Sequence, residues 1–306
     1  MPNDRPIDAR PPIAAHPPIG VFDSGVGGLT VLAALCARLP HEQFVYLGDT
    51  ARLPYGIKSA DTVVRYALQA ADVLVRRGVK ALVIACNTAS AVALPALTER
   101  YGALPLMGVV EPGAAAAVAA SRSGQIAVIG TEATVRGGAY QRAISRRQPH
   151  ARIRAVACQL FVALAEEGWT EGPIARATAE RYLSALVPRA SAPAADAVAG
   201  FVADTLVLGC THFPMLRGAI REVMGESVRL VDSAATTAEA TQVLLQAQGL
   251  LRPASADSVA ARSAACASDA ARLRLLATDG AERFAAVGSR FLGRGIAPSE
   301  VELVDL

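Results

Sequence analysis

Short apolar runs alternate with polar, helix-spaced stretches along this chain, and most runs end in a polar or glycine-rich turn. The first, residues 19–22, reads Ile-Gly-Val-Phe without polar alternation and predicts a strand buried on both faces. Asp23-Ser24-Gly25-Val26-Gly27-Gly28 follows as a tight turn, and Leu29, Val31, Leu32 and Leu35 then mark a helix to about Leu39. Residues 44–47 form the next predicted strand, ending in Gly48-Asp49-Thr50. A loop with Pro54-Tyr55-Gly56 leads to a helix over 59–77, where Val63, Ala67, Ala70, Ala71 and Leu74 recur at helical spacing. The strand at 81–85 runs directly into Cys86-Asn87-Thr88-Ala89-Ser90 and another helix.

The same alternation continues with strands at 106–109, 125–129, 152–156 and 205–208. Gly130-Thr131 precedes a helix containing Tyr140, and the 205–208 strand ends at Gly209-Cys210-Thr211-His212. Residues 229–233 read as a strand and cap, 236–248 as a helix, 273–278 as a final strand and 281–292 as a final helix. Alternating strands and helices predict an α/β fold, simplest as two related lobes with largely parallel sheets and an active site in the cleft between them. The division expected is a flexible Pro-rich tail over 1–18, a first lobe over 19–109, a second over 110–225 and a return to the first over 226–306. Residues 191–199, rich in Ala and Pro, predict a loop, and the Ala/Ser-rich stretch 251–271 predicts a surface insertion.

Composition narrows the function. With 306 residues, 52% hydrophobic and 19% charged, the chain has enough apolar surface for a substantial core, which excludes a largely disordered protein. The net charge of +3 comes from mixed signs, so no nucleic-acid surface is expected; the densest basic run, Arg142, Arg146, Arg147, Arg152 and Arg154, reads as a solvated helix face. Six prolines interrupt the first 19 residues, leaving neither a signal-peptide core nor a membrane span, and a cytoplasmic location is expected. Cys36, Cys86, Cys158, Cys210 and Cys266 are odd in number and widely spaced, unlike a disulfide framework or a zinc site, and no metal or other cofactor is expected.

Two of these cysteines stand in matched settings. Cys86 and Cys210 each end a hydrophobic strand and precede a polar pair, Asn87-Thr88 or Thr211-His212. At the mouth of a parallel sheet such a thiol can meet a helix N-terminus, which favours thiolate, although a cysteine after a strand is also commonly a small buried hydrophobe. Asp23 opens a turn whose glycines allow a sharp bend and close approach of a ligand, and Asp23 or Ser24 also suits a helix N-cap. Gly25, Gly27 and Gly28 form neither a dinucleotide fingerprint nor a phosphate loop. His212, two residues from Cys210, suits proton transfer to or from a thiol.

In four segments the chain resembles the glutamate racemase family, within the aspartate/glutamate racemase superfamily. They are Gly20-Val21-Phe22-Asp23-Ser24-Gly25-Val26-Gly27-Gly28-Leu29, Asp49-Thr50-Ala51-Arg52-Leu53-Pro54-Tyr55-Gly56, Ala85-Cys86-Asn87-Thr88-Ala89 and Leu208-Gly209-Cys210-Thr211-His212-Phe213-Pro214. The likeness extends over about residues 19–293. It implies a cofactor-free enzyme interconverting L-glutamate and D-glutamate for peptidoglycan, commonly as a dimer. By the same resemblance Cys86 takes the proton from D-glutamate and Cys210 from L-glutamate. Asp23 supports the first thiol and His212 the second, while Glu166, next to Glu167, matches a family glutamate. Ser24, Pro54, Tyr55, Gly56, Asn87, Thr88, Thr131 and Thr211 fall on substrate-contact positions, which Asp23 and His212 share.

The chain departs from the family pattern in having Gln159, where Pro commonly follows the cysteine matching Cys158, and in Glu111, which puts an acid close to the expected cleft. Racemisation needs a proton removed from one face of Cα and returned to the other, which two cysteines of opposite protonation accomplish without moving a single base. An aspartate racemase, a silent binding protein and a single-nucleophile cysteine hydrolase remain as alternatives.

Overall fold

The computed structural model describes residues 17–186, 201–253 and 272–306. Its first sheet contains β1 (Ile19–Asp23), β2 (Phe44–Gly48), β3 (Ala81–Ile84), β4 (Leu106–Gly108), β9 (Leu273–Ala277) and β10 (Val301–Leu303), in the order β10-β9-β2-β1-β3-β4. The second contains β5 (Gln125–Gly130), β6 (Arg152–Ala157), β7 (Thr205–Gly209) and β8 (Arg229–Asp232), in the order β6-β5-β7-β8. All their pairings are parallel. β1, β2 and β7 are buried throughout, the physical reason their sequences lack polar alternation.

Both sheets reverse winding direction in the same way. From β1 the chain crosses to β2 on one side, then returns to β3 on the other; from β5 it crosses to β6 and returns to β7. Loops diverge at the carboxyl ends of such reversals and leave a crevice for ligands. Asp23 and Cys86 stand at the β1/β3 crevice, and Thr131 and Cys210 at the β5/β7 crevice. The α/β architecture of two lobes with parallel sheets therefore brings the two cysteine motifs to equivalent places.

Several boundaries differ from the sequence reading. β8 pairs with β7, so the return towards the first sheet begins after Asp232 and not at 226. The Asp232 side chain then caps helix Ser233–Ala247, which packs against helix Leu29–Arg38 from the first lobe and Val110–Ala120 from the second. β9 is not the last strand: β10, only three residues long with Val301 alone buried, lacks the apolar run that would mark it. The helix expected around Tyr140 is two, Glu132–Gly137 and Ala139–Arg147, broken where Gly138 adopts φ 63°. Helices Leu160–Glu167 and Gly172–Leu183 were not anticipated. The basic run is likewise divided, with Arg142, Arg146 and Arg147 on a helix and Arg152 and Arg154 on β6. The predicted loop at 191–199 and most of the tail and of the 251–271 insertion lie outside the described residues.

Candidate active site

On the first-lobe side, Asp23 ends β1 and is almost wholly buried, with Gly25 N–H donating to Oδ2 at 3.1 Å. Gly28 packs directly against it, where a Cβ would overlap the carboxylate's own Cβ. Cys86 follows β3 and caps helix Asn87–Val92: Ala89 N–H points at Sγ from 3.5 Å, and the thiol reaches Ser24 Oγ at 3.6 Å. Burial pushes the Cys86 thiol up to about 12, and the neighbouring Asp23 charge acts in the same direction. These outweigh the Ala89 and Ser24 hydrogen bonds, so the helix start does not make Cys86 a thiolate here. Burial also raises the Asp23 carboxyl, against the pull of His212.

The second-lobe side has the opposite electrostatics. Cys210 follows β7, and His212 places Nδ1 3.8 Å from its Sγ and 3.4 Å from Thr211 Oγ1. His212 Nε2 lies 3.2 Å from Glu166 Oε1, while Arg283 donates to Glu166 Oε2 at 3.3 Å and Arg290 to its backbone carbonyl. Glu166, not Glu167, is thus the acid that meets the histidine. Phe291 packs edge-on against the imidazole, with ring centroids 5.1 Å apart. Burial works against a charged imidazole, but hydrogen bonds to Cys210 and Glu166, aided by the Cys210 and Asp23 charges, raise His212 to about 10. The hydrogen bond from His212 in turn lowers Glu166 despite its burial.

Glycines let the two lobes meet. A Cβ on Gly27 would overlap Thr211 Oγ1 and the His212 ring, so the glycine turn of the first lobe makes room for the second lobe's cysteine motif. Thr30 Oγ1 adds a hydrogen bond to Thr211 O at 3.2 Å. Opposite them, a Cβ on Gly56 would stand 2.6 Å from Thr131 Cβ. Pro54 and Tyr55 approach the cleft beside it, with the Tyr55 hydroxyl anchored on buried Asp49, which also takes Arg52 and Thr278. Thr88, Thr131 and Thr134 close a hydroxyl triangle with edges of 3.0, 3.2 and 3.0 Å. Tyr140 donates to Asn87 Oδ1 at 2.7 Å, leaving Asn87 Nδ2 buried without a partner.

The cleft is therefore walled by Ser24, the Pro54–Gly56 loop, Cys86 to Thr88, Thr131, Glu166 and Cys210 to His212. Asp23 lies beneath this wall and reaches it through Ser24 and Cys86. Glu111 is corrected: it pairs with Arg146 and Arg147 away from the cleft, because it projects from the first turn of helix Val110–Ala120. Gly25, from the turn expected to let a ligand approach closely, also lines the cleft, as do Leu53, Gln159 and Val162, which were missed. Residues 159, 162 and 166 share one helical face, so the placing of Glu166 could have pointed to the other two. Among the described residues no His, Cys, Asp or Glu cluster is arranged for a metal ion, and no helix is long and apolar enough to cross a membrane.

Two thiols thus enter one cleft from opposite lobes, one above a carboxylate and the other beside an imidazole–carboxylate pair. His212, raised from its ordinary 6.5 to about 10, holds its proton through neutral pH. Between about pH 7 and about pH 8.5 the ring should stay protonated, read from the 15N shifts of both His212 ring nitrogens by NMR. Shifts of a neutral imidazole in that window would contradict the charged ring.

The comparisons agree with this geometry. A family model described as Asp/Glu/Hydantoin racemase matches residues 24–241. A glutamate racemase of Geobacter metallireducens is 48% identical over 275 residues, covering 90% of this chain and 92% of the relative. Among solved structures, the glutamate racemase isoform RacE1 of Bacillus anthracis superposes with TM-score 0.81 at 32% identity, covering 96% of this chain and 99% of that one. The Francisella tularensis glutamate racemase, solved in complex with D-glutamate, gives 0.80 at 32% identity over 95% and 98% of the two chains. With its paired cysteine crevices and these relatives, the chain belongs to the glutamate racemase family of the Asp/Glu racemase superfamily.

Proposed function

We infer that this protein is a glutamate racemase that interconverts L-glutamate and D-glutamate through Cys86 and Cys210 without a cofactor. The observation that carries the reading is the approach of the two thiols to one cleft from separate lobes, each with its own supporting acid or base. L-glutamate loses its Cα proton to Cys210, beside which the His212 imidazolium lies. Cys86, kept neutral by burial and by Asp23, donates its proton to the opposite face and yields D-glutamate. The roles reverse for D-glutamate.

Charge developing on the α-carboxylate needs donors already in place. Asn87 Nδ2, buried and unpartnered, supplies one, and the hydroxyls of the cleft-lining Thr88 and Thr211 supply others. Ser24, the Pro54-Tyr55-Gly56 loop and Thr131 hold the rest of the amino acid. Glu166 acts through His212, fixing the ring and stabilising its charge.

In the cell, the reaction supplies D-glutamate for peptidoglycan, with the enzyme acting in the cytoplasm as a homodimer. Gene deletion should then create a requirement for D-glutamate, and sedimentation should give twice the chain mass; growth without D-glutamate, absent a second racemase, or a monomeric mass would refute the respective part. For the chemistry, purified protein with L-glutamate and no added cofactor should drive the circular dichroism signal to zero at constant glutamate concentration. Cys86→Ala and Cys210→Ala should each lower kcat by at least about 100-fold. Full activity in either variant would end the two-thiol mechanism, and turnover of L-aspartate in place of L-glutamate would reassign the substrate.

A further inference from the structure

Gln159 lines the cleft and carries a buried polar group that nothing among the described residues satisfies. It stands between buried Cys158 and helix Leu160–Glu167, on the wall that it shares with Val162 and Glu166. Its Oε1 is buried and has no hydrogen-bond partner. Nearby donors are engaged elsewhere: Leu160 N–H donates to the Tyr182 hydroxyl at 3.1 Å, Val162 N–H to the backbone carbonyl of Gln159, and the Cys158 thiol to Val156 O at 3.7 Å. A buried acceptor left in this condition is unfavourable, and native proteins retain few such groups without a use for them.

The chemistry of the substrate says what would satisfy it. A free glutamate at neutral pH carries two carboxylates, which only accept hydrogen bonds, and one ammonium, which only donates. An acceptor on the cleft wall therefore matches the ammonium. An amide serves without adding a negative charge that would repel the carboxylates, and Glu166 on the same face is already committed to His212 and Arg283. We propose that Gln159 is a substrate-binding residue whose Oε1 accepts a hydrogen bond from the α-ammonium group of the amino acid. This rests on the racemase reading above and adds a recognition contact to it.

The test separates the ammonium from the rest of the ligand. Gln159→Leu keeps the side-chain bulk and removes the amide, and glutarate has both carboxylates of glutamate but no ammonium. In Gln159→Leu, KM for L- and D-glutamate should rise about tenfold or more, while the inhibition constant of glutarate stays within about twofold of wild type. An unchanged KM, or equal weakening of glutamate and glutarate, would overturn the assignment. Circular dichroism and thermal melting establish that the variant folds; Gln159→Met, which also lacks the carbonyl, takes its place if it does not. Wild-type turnover is measured first: its absence defeats the racemase reading, whereas normal wild-type turnover with an insensitive variant defeats only the role of Gln159.

Discussion

The site depends on where protons can rest in a space that tolerates little net charge. Cys86, Asp23, Cys210 and His212 are all nearly excluded from solvent, so each charge among them needs a partner within reach. On one side burial and the Asp23 carboxylate keep the Cys86 proton in place. On the other, Glu166 and Cys210 hold the His212 ring charged against the same burial. The two ends of the cleft therefore differ in their surroundings: a neutral thiol near a carboxylate at one, and Cys210 beside a charged imidazole at the other. This difference is what a two-sided proton transfer requires: an acid on one face and a base on the other.

Backbone geometry makes that arrangement possible. Two parallel sheets with the same reversal of strand order each present a crevice, and their cysteines enter at equivalent strand ends. Close docking of the lobes then needs positions without side chains. Gly27 yields to Thr211 and His212, Gly28 to Asp23, and Gly56 to Thr131. Across the cleft, Glu166 on the second lobe is held by Arg283 and Arg290 on the helix following β9. The histidine's partner is thus fixed by both lobes.

Much of this was legible in sequence because the central strands are buried on both faces and carry uninterrupted apolar residues. The ends of β1, β3 and β7 could be placed to within a residue, and with them Asp23, Cys86 and Cys210. Less could be read where the signal was tertiary. β10 is short and half exposed, and β8 joins the second sheet through a pairing with β7 that local pattern does not encode. Gln159 and Val162 reach the cleft on the same helical face as Glu166, and that helix showed no independent signature. The glycine turn was recognisable as a turn, but its use as the seat for His212 depends on residues nearly two hundred positions away. Glu111 looked available as an acid until Arg146 and Arg147 were seen beside it.

The most direct test of two bases acting on opposite faces is racemisation of L-glutamate in deuterium oxide, stopped early and analysed by mass spectrometry after separating the enantiomers. If Cys210 removes protium while a solvent-exchanged Cys86 delivers deuterium, the newly formed D-glutamate carries deuterium at Cα and the remaining L-glutamate carries none. A single base serving both faces would instead return protium to the D-product or wash deuterium into the unreacted L-enantiomer. Either result would contradict the two-thiol account.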